Sequence, residues 1–270
     1  RSAAVLGYAG GTSCGGSARR VMTHRSAIVA LLVCSVMTAH GQLTDRDTAS
    51  VRAEFTIAGS FSQGTVDRTL IVSGVDVALR DSAWGARSTN TFTYGTFGTM
   101  VTDRDLLSRT FVYAWPSATF YPYAMLWAER GLRRAIQLRR QPGIGLTWVA
   151  WRDSLGSVRL SGTASYEWTR YMRPLPDGQT DVQTWRGIVR CAVDLRDPTN
   201  IVALRAEGWV QPRFSEPSDV RAFIDASLSV RVAGALRCRI GYTYIREHEV
   251  PAGASPMDML ASIGLTYIID

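Results

Sequence analysis

Residues 157–171 read SVRLSGTASYEWTRY, and two alternating sets of side chains run through them. Val158, Leu160, Gly162, Ala164, Tyr166 and Trp168 form one set; Arg159, Ser161, Thr163, Ser165, Glu167 and Thr169 form the other. Successive side chains of an extended chain point to opposite faces, so this is a strand with one apolar and one polar face. A run of about twelve exceeds the five or six residues usual in a globular strand, whereas a strand tilted about 45° needs roughly 9–11 to cross a bilayer. Tyr166 and Trp168 close one end of the apolar face, where membrane strands carry their interfacial aromatics. A β-sandwich strand with one solvated face shows the same alternation, so the decision rests on the rest of the chain.

The period of two recurs from Ser50 onward. It predicts strands over 50–62, 67–79, 85–97, 105–115, 119–129, 142–151, 157–171, 184–196, 200–211, 219–231, 235–246 and 257–269. In the first, Val51, Ala53, Phe55, Ile57 and Phe61 oppose Arg52, Glu54, Thr56 and Ser60. Two strands gather aromatics on one face: Phe111, Tyr113 and Trp115 in 105–115, and Tyr121, Tyr123 and Trp127 with Met125 in 119–129. No helical segment of useful length competes.

The connections separate a sandwich from a barrel. Those at 80–84, 116–118, 152–157, 197–199 and 232–234 are short, and those at 130–141, 172–183, 212–218 and 247–256 are longer and polar. The turn at 63–66 is the exception. Short turns at one end and long loops at the other, with an even strand number, mark an outer-membrane barrel whose termini lie in the periplasm. A sheet in lipid must also close, because each unpaired backbone group there costs several kcal/mol. The expected fold is therefore all-β, a transmembrane antiparallel up-and-down β-barrel of about twelve strands.

Ahead of it, residues 1–21 read as an unstructured extension. Residues 22–41 read as a cleaved secretory signal peptide, with a basic His24-Arg25 start, an apolar core over 27–37 and a small-x-small site at Ala39-His40-Gly41. That apolar run is too short for a membrane-spanning helix. The barrel domain is then 42–270. All 30 basic residues are Arg; four of them, Arg1, Arg19, Arg20 and Arg25, precede Gln42 and no acid does, so the net charge falls from +7 to +3. A nucleic-acid partner loses its electrostatic support at that charge. Cys191 and Cys238 remain, each on an apolar face and on strands separated by two others, so no disulfide is expected.

The polar faces carry one constellation: Arg52, Glu54, Arg159, Glu167, Arg190, Asp194, Arg205, Glu207, Asp225, Arg231, Arg237 and Arg239. A charge on the lipid face costs roughly 2–4 kcal/mol at mid-bilayer, whereas inside a barrel it is solvated or paired. Both signs are present in quantity, which points to an ion-paired, partly hydrated lumen; an Arg ladder guiding anions is the sharper alternative. The expected role is structural or channel-like, with small solutes or ions as passengers. The expected partners are outer-membrane lipid and lipopolysaccharide and the barrel-assembly machinery. An outer-membrane enzyme acting on lipid or peptide would need a His beside a Ser or carboxylate. Beyond residue 41 the chain has His248 alone, between Glu247 and Glu249, and neighbours on an extended loop point apart, which makes a poor catalytic or metal site. A soluble periplasmic β-sandwich binding module is the third class. No cofactor motif is present.

The run Phe55–Leu79, FTIAGSFSQGTVDRTLIVSGVDVAL, with the aromatic stretch Thr119–Trp127 and the Gly-rich strand Pro142–Trp148, resembles the salt-induced outer-membrane protein family, catalogued as domain of unknown function 481. The turn here reads Gly64-Thr65-Val66 where that family tends to have Gly-Asn-Thr. The chain ends Tyr267-Ile268-Ile269-Asp270 rather than in a terminal aromatic. The resemblance implies an outer-membrane barrel linked to envelope stress, and no activity, catalytic residue or cofactor.

Overall fold

The computed structural model describes residues 51–62 and 67–269. The predicted extension 1–21, the signal peptide 22–41 and the turn at 63–66 lie outside the described residues. The strands are β1 (Val51–Ser62), β2 (Arg68–Arg80), β3 (Trp84–Phe97), β4 (Met100–Ala114), β5 (Phe120–Gly131) and β6 (Ile136–Arg152). They continue with β7 (Gly156–Tyr171), β8 (Asp181–Arg196), β9 (Val202–Pro212), β10 (Val220–Ala233), β11 (Leu236–Arg246) and β12 (Met257–Ile269). Each pairs antiparallel with its sequence neighbours, and β1 pairs with β12 from Ala53↔Ile269 to Ala58↔Gly264, closing the barrel. Closure removes the edges that would otherwise leave a row of unpaired amides. Gly264 serves this seam: a Cβ there would lie 2.3 Å from the Ile57 carbonyl oxygen and 2.6 Å from the Ala58 Cβ.

The outer surface carries the apolar sets of the strands. Phe55, Ile57, Ile144, Val189, Ile240 and Ile263 are all exposed, a continuous apolar surface of the kind that hydrocarbon rather than water covers. At the end that holds both chain ends of the barrel, the connections are 81–83, 115–119, 153–155, 197–201 and 234–235. At the opposite end they are 98–99, 132–135, 172–180, 213–219 and 247–256. We call these the turn end and the loop end.

The expected loop 130–141 and the stretch 98–104 left between two predicted strands are largely strand. The β3–β4 connection shrinks to Gly98-Thr99, where Gly98 adopts φ +57°, a conformation open to Gly without steric cost. Most of 130–141 also pairs, since β5 runs to Gly131 and β6 starts at Ile136. Register shifts at Gly95/Thr96, Glu129/Gly131 and Ile136/Leu138 explain why period two missed both: a bulge inserts an extra residue and breaks the alternation. The aromatic faces of β4 and β5 supply a third finding. Phe111, Tyr121, Tyr123, Met125 and Trp127 are buried and point into the barrel, while Leu106, Val112 and Leu126 face out. Alternation separates two faces, but it does not say which is inner when both are apolar.

Candidate functional site

The lumen is filled in three layers. Nearest the loop end, Arg139 on β6 has a fully buried side chain. Its Nη1 donates to Glu129 on β5 (3.1 Å) and to Glu247 in the β11–β12 loop (2.8 Å), its Nη2 donates to Glu247 (2.9 Å), and its Nε donates to Thr169 on β7 (3.0 Å). Glu167 on β7 lies 3.3 Å from the same Nε. It accepts from Arg186 on β8 (2.5 Å) and twice from Arg221 on β10 (3.1 Å each). Arg186 continues to Asp219 at 2.7 Å. Arg134, from the β5–β6 loop, pairs with Glu129 and reaches Glu247 at 3.2 Å. Strands on opposite walls are thus tied through the centre. Leu175 of the β7–β8 loop packs with Ile136, Tyr171 and Val182 as an apolar cap over this layer.

Glu247 sits outside the strands. Burial alone would raise its carboxyl, but the opposing charges of Arg139 and Arg221, the Arg139 hydrogen bonds and Arg134 outweigh that and hold it well below the usual carboxylate range. Taking such groups out of water is expensive, so the network is best viewed as a set of mutually dependent charges. Removing one strands the others.

The middle layer is aromatic. Trp127 meets Trp209 and Phe223 edge-on at 5.5 and 5.3 Å between ring centroids, and Phe111 lies 5.7 Å from Trp209, so β4 and β5 touch β9 and β10 across the lumen. Charges are threaded through it. Arg190 donates to Glu207 at 3.0 Å and stacks over Phe111 at 4.7 Å. Arg109 stacks over Phe223 at 4.8 Å, with Asp225 at 3.4 Å and Glu207 at 3.5 Å. The Trp209 indole N–H donates to Glu207.

Toward the turn end, Arg205 on β9 joins three acids: Asp194 on β8 at 3.0 Å, Glu54 on β1 at 3.3 Å and Asp76 on β2 at 3.8 Å. Arg52 pairs with Glu54, Arg159 with Asp194, and Arg87 with Asp76 at 2.6 Å. These groups line a cavity of about 110 Å³. Arg205 keeps 31% of its side chain exposed and Asp194 20%. Arg231 and Arg237 both donate to the Asn200 carbonyl, at 2.5 and 3.0 Å, and so hold the β8–β9 turn; Arg239 reaches Thr56 at 3.3 Å.

The twelve residues singled out in the sequence therefore divide. Glu167 belongs to the loop-end layer; Arg190, Glu207 and Asp225 to the middle; and Arg52, Glu54, Arg159, Asp194 and Arg205 to the turn end, with Arg231, Arg237 and Arg239 near its rim. Asp76, Arg87, Arg109, Arg186 and Arg221 were missed although each keeps the inward phase of its strand. Glu129 shares the aromatic face of β5, whose inward direction alternation does not give, Arg139 lies in the stretch 130–141 expected as a loop, and Arg134, Asp219 and Glu247 come from connections, which have no phase to read. His248 is exposed, and its neighbours diverge: Glu247 turns inward to Arg139 while Glu249 lies 3.6 Å from Arg213.

A family profile described as "Protein of unknown function, DUF481" matches residues 55–269. No curated protein matches the chain. Among solved structures, the NanC porin is similar at 11% identity over 79% of this chain and 98% of that one, with a TM-score of 0.49. The translocator domain of the autotransporter NalP from Neisseria meningitidis is similar at 12% identity over 83% and 90%, with a TM-score of 0.44. OmpT of Vibrio cholerae is similar at 9% identity over 82% and 99%, with a TM-score of 0.38.

Proposed function

Because the chain belongs to the DUF481 family, described as proteins of unknown function, we propose its role from its own geometry. It is an outer-membrane barrel with its loops facing outward and its lumen closed at the loop end: a structural or gated element rather than an open diffusion pore. The observation that carries this is Arg139, fully buried and bonded at once to Glu129, Glu247 and Thr169, which crosses the lumen where a channel would have to pass. The aromatic layer beneath supports the same reading. Toward the periplasm the Arg205 basin stays partly hydrated and suits small ions or polar solutes.

The proposal includes no catalytic role for exposed His248, assembly by the barrel-assembly machinery, and synthesis in response to salt or envelope stress; the last is tested by following the protein's level after osmotic shock. Conductance of the refolded barrel in a planar bilayer tests the closed lumen. Silence from a barrel with heat-shifted gel mobility is the expected result. A steady conductance at low voltage would overturn closure, and its anion preference would then favour an Arg-guided pathway.

A further inference from the structure

On the outward face of the described strands, the charged residues are Arg104, Arg130, Arg140, Arg170, Asp181 and Arg246, and all of them lie toward the loop end. Four arginines occupy the contiguous strands β4 to β7. Arg170 pairs with Asp181 at 2.7 Å; among the described residues no acid lies within ion-pair distance of Arg130 or Arg140. Register places Arg140 beside Trp168, and Leu138, one outward position nearer the loops, beside Arg170. Tyr166, Trp168 and Trp185 form a ring cluster just below, with centroids 4.5 and 5.0 Å from Tyr166. The bulges at Glu129/Gly131 and Ile136/Leu138 fall at this level, and the surface is concave there: a cleft of about 680 Å³ lined by Arg130, Arg140, Arg170, Trp168, Asp181 and Gln183.

We propose that this cleft binds the phosphorylated sugar head group of a lipopolysaccharide in the outer leaflet. The inference rests on the reading of the chain as an outer-membrane barrel with outward loops. The site faces away from the lumen, so its ligand comes from the membrane plane. A phosphate is the natural partner of unpaired guanidinium groups, which bind it through paired N–H donors. Several arginines on neighbouring strands suit a head group bearing more than one phosphate. Gln183 offers hydrogen bonds to sugar hydroxyls, and the aromatic cluster with the apolar wall beneath it receives the acyl chains. On this account the arginines occupy the level where anionic head groups end and hydrocarbon begins.

The test uses the full chain refolded in detergent, with native mass spectrometry to count retained bisphosphoryl lipid A, its dephosphorylated form as the control lipid and inorganic phosphate as competitor. The variants are Arg130→Gln with Arg140→Gln, and separately Arg246→Gln on β11, away from the cleft. The double variant is expected to retain bisphosphoryl lipid A about thirtyfold less than the parent, from roughly 1 kcal/mol for each of the two basic residues at a lipid surface. Arg246→Gln should match the parent, the dephosphorylated lipid should bind poorly, and millimolar phosphate should not displace the lipid. Equal retention by the double variant, equal loss in Arg246→Gln, or displacement by free phosphate would each overturn the proposal. Insertion into phosphatidylcholine vesicles is scored separately: a barrel that inserts without discriminating lipids sinks this site alone, and one that folds but does not insert sinks the membrane reading and the site with it.

Discussion

The two ends of the lumen are built from the same residue types and behave differently. At the loop end Arg139, Glu129 and Glu167 have side chains no more than 1% exposed; at the turn end Arg205, Arg87 and Asp194 keep between 20% and 31%. The difference comes from the connections. At the loop end, Arg134, Asp219 and Glu247 enter from outside the strands and add charges at the centre, and Leu175 packs on Ile136, Tyr171 and Val182 beside them. At the turn end the ion pairs of Arg205 are all with strand residues, Asp194, Glu54 and Asp76. Arginines and acids on strand faces alone thus make a partly exposed cluster, and the same pairs joined by loop residues make a buried one.

That contrast can be broken at Arg139 first. Arg139→Ala leaves Glu129, Glu167 and Glu247 short of a shared cation in a dry site, a loss expected to cost about 3–5 kcal/mol. It should appear as a lower urea midpoint in detergent and as conductance in a barrel otherwise silent. Arg205→Ala removes an equally connected residue where water can replace it. A cost of about 1 kcal/mol is expected, with the heat-shifted mobility retained. Equal costs at the two sites would mean that exposure does not set the difference.

The smallest effect concerns pH. The carboxyl of Glu247 is held below its ordinary value of 4.5 in the folded barrel, so its contribution is complete above that pH and is lost as pH falls through the depressed value. The stability gap between the parent and Glu247→Gln should therefore stay constant from pH 8 to about pH 5 and shrink in stronger acid. A gap that shrank on going up from pH 5 to 8 would mean that Glu247 is not ionised in the plug.

Strand number, barrel class and most inward positions are legible in the chain because alternation is a local property: Val158 to Trp168 and Arg159 to Thr169 separate without knowledge of any neighbour. The same signal fails at Arg139, which keeps the phase of Gln141 and Thr147 but lies in a stretch that reads as a loop, and on β5, where Tyr123 and Trp127 look like a lipid face and fill the lumen instead. It is silent at Glu247, which reaches Arg139 only because β11 and β6 stand on opposite walls of a closed sheet. The sequence by itself determined an apolar outside, a charged inside and longer connections at one end. Which aromatics turn inward, which arginine meets which acid, and that the charges at one end are fully buried while those at the other stay partly exposed were decided by closure, because only closure brings residues a hundred positions apart within hydrogen-bonding distance.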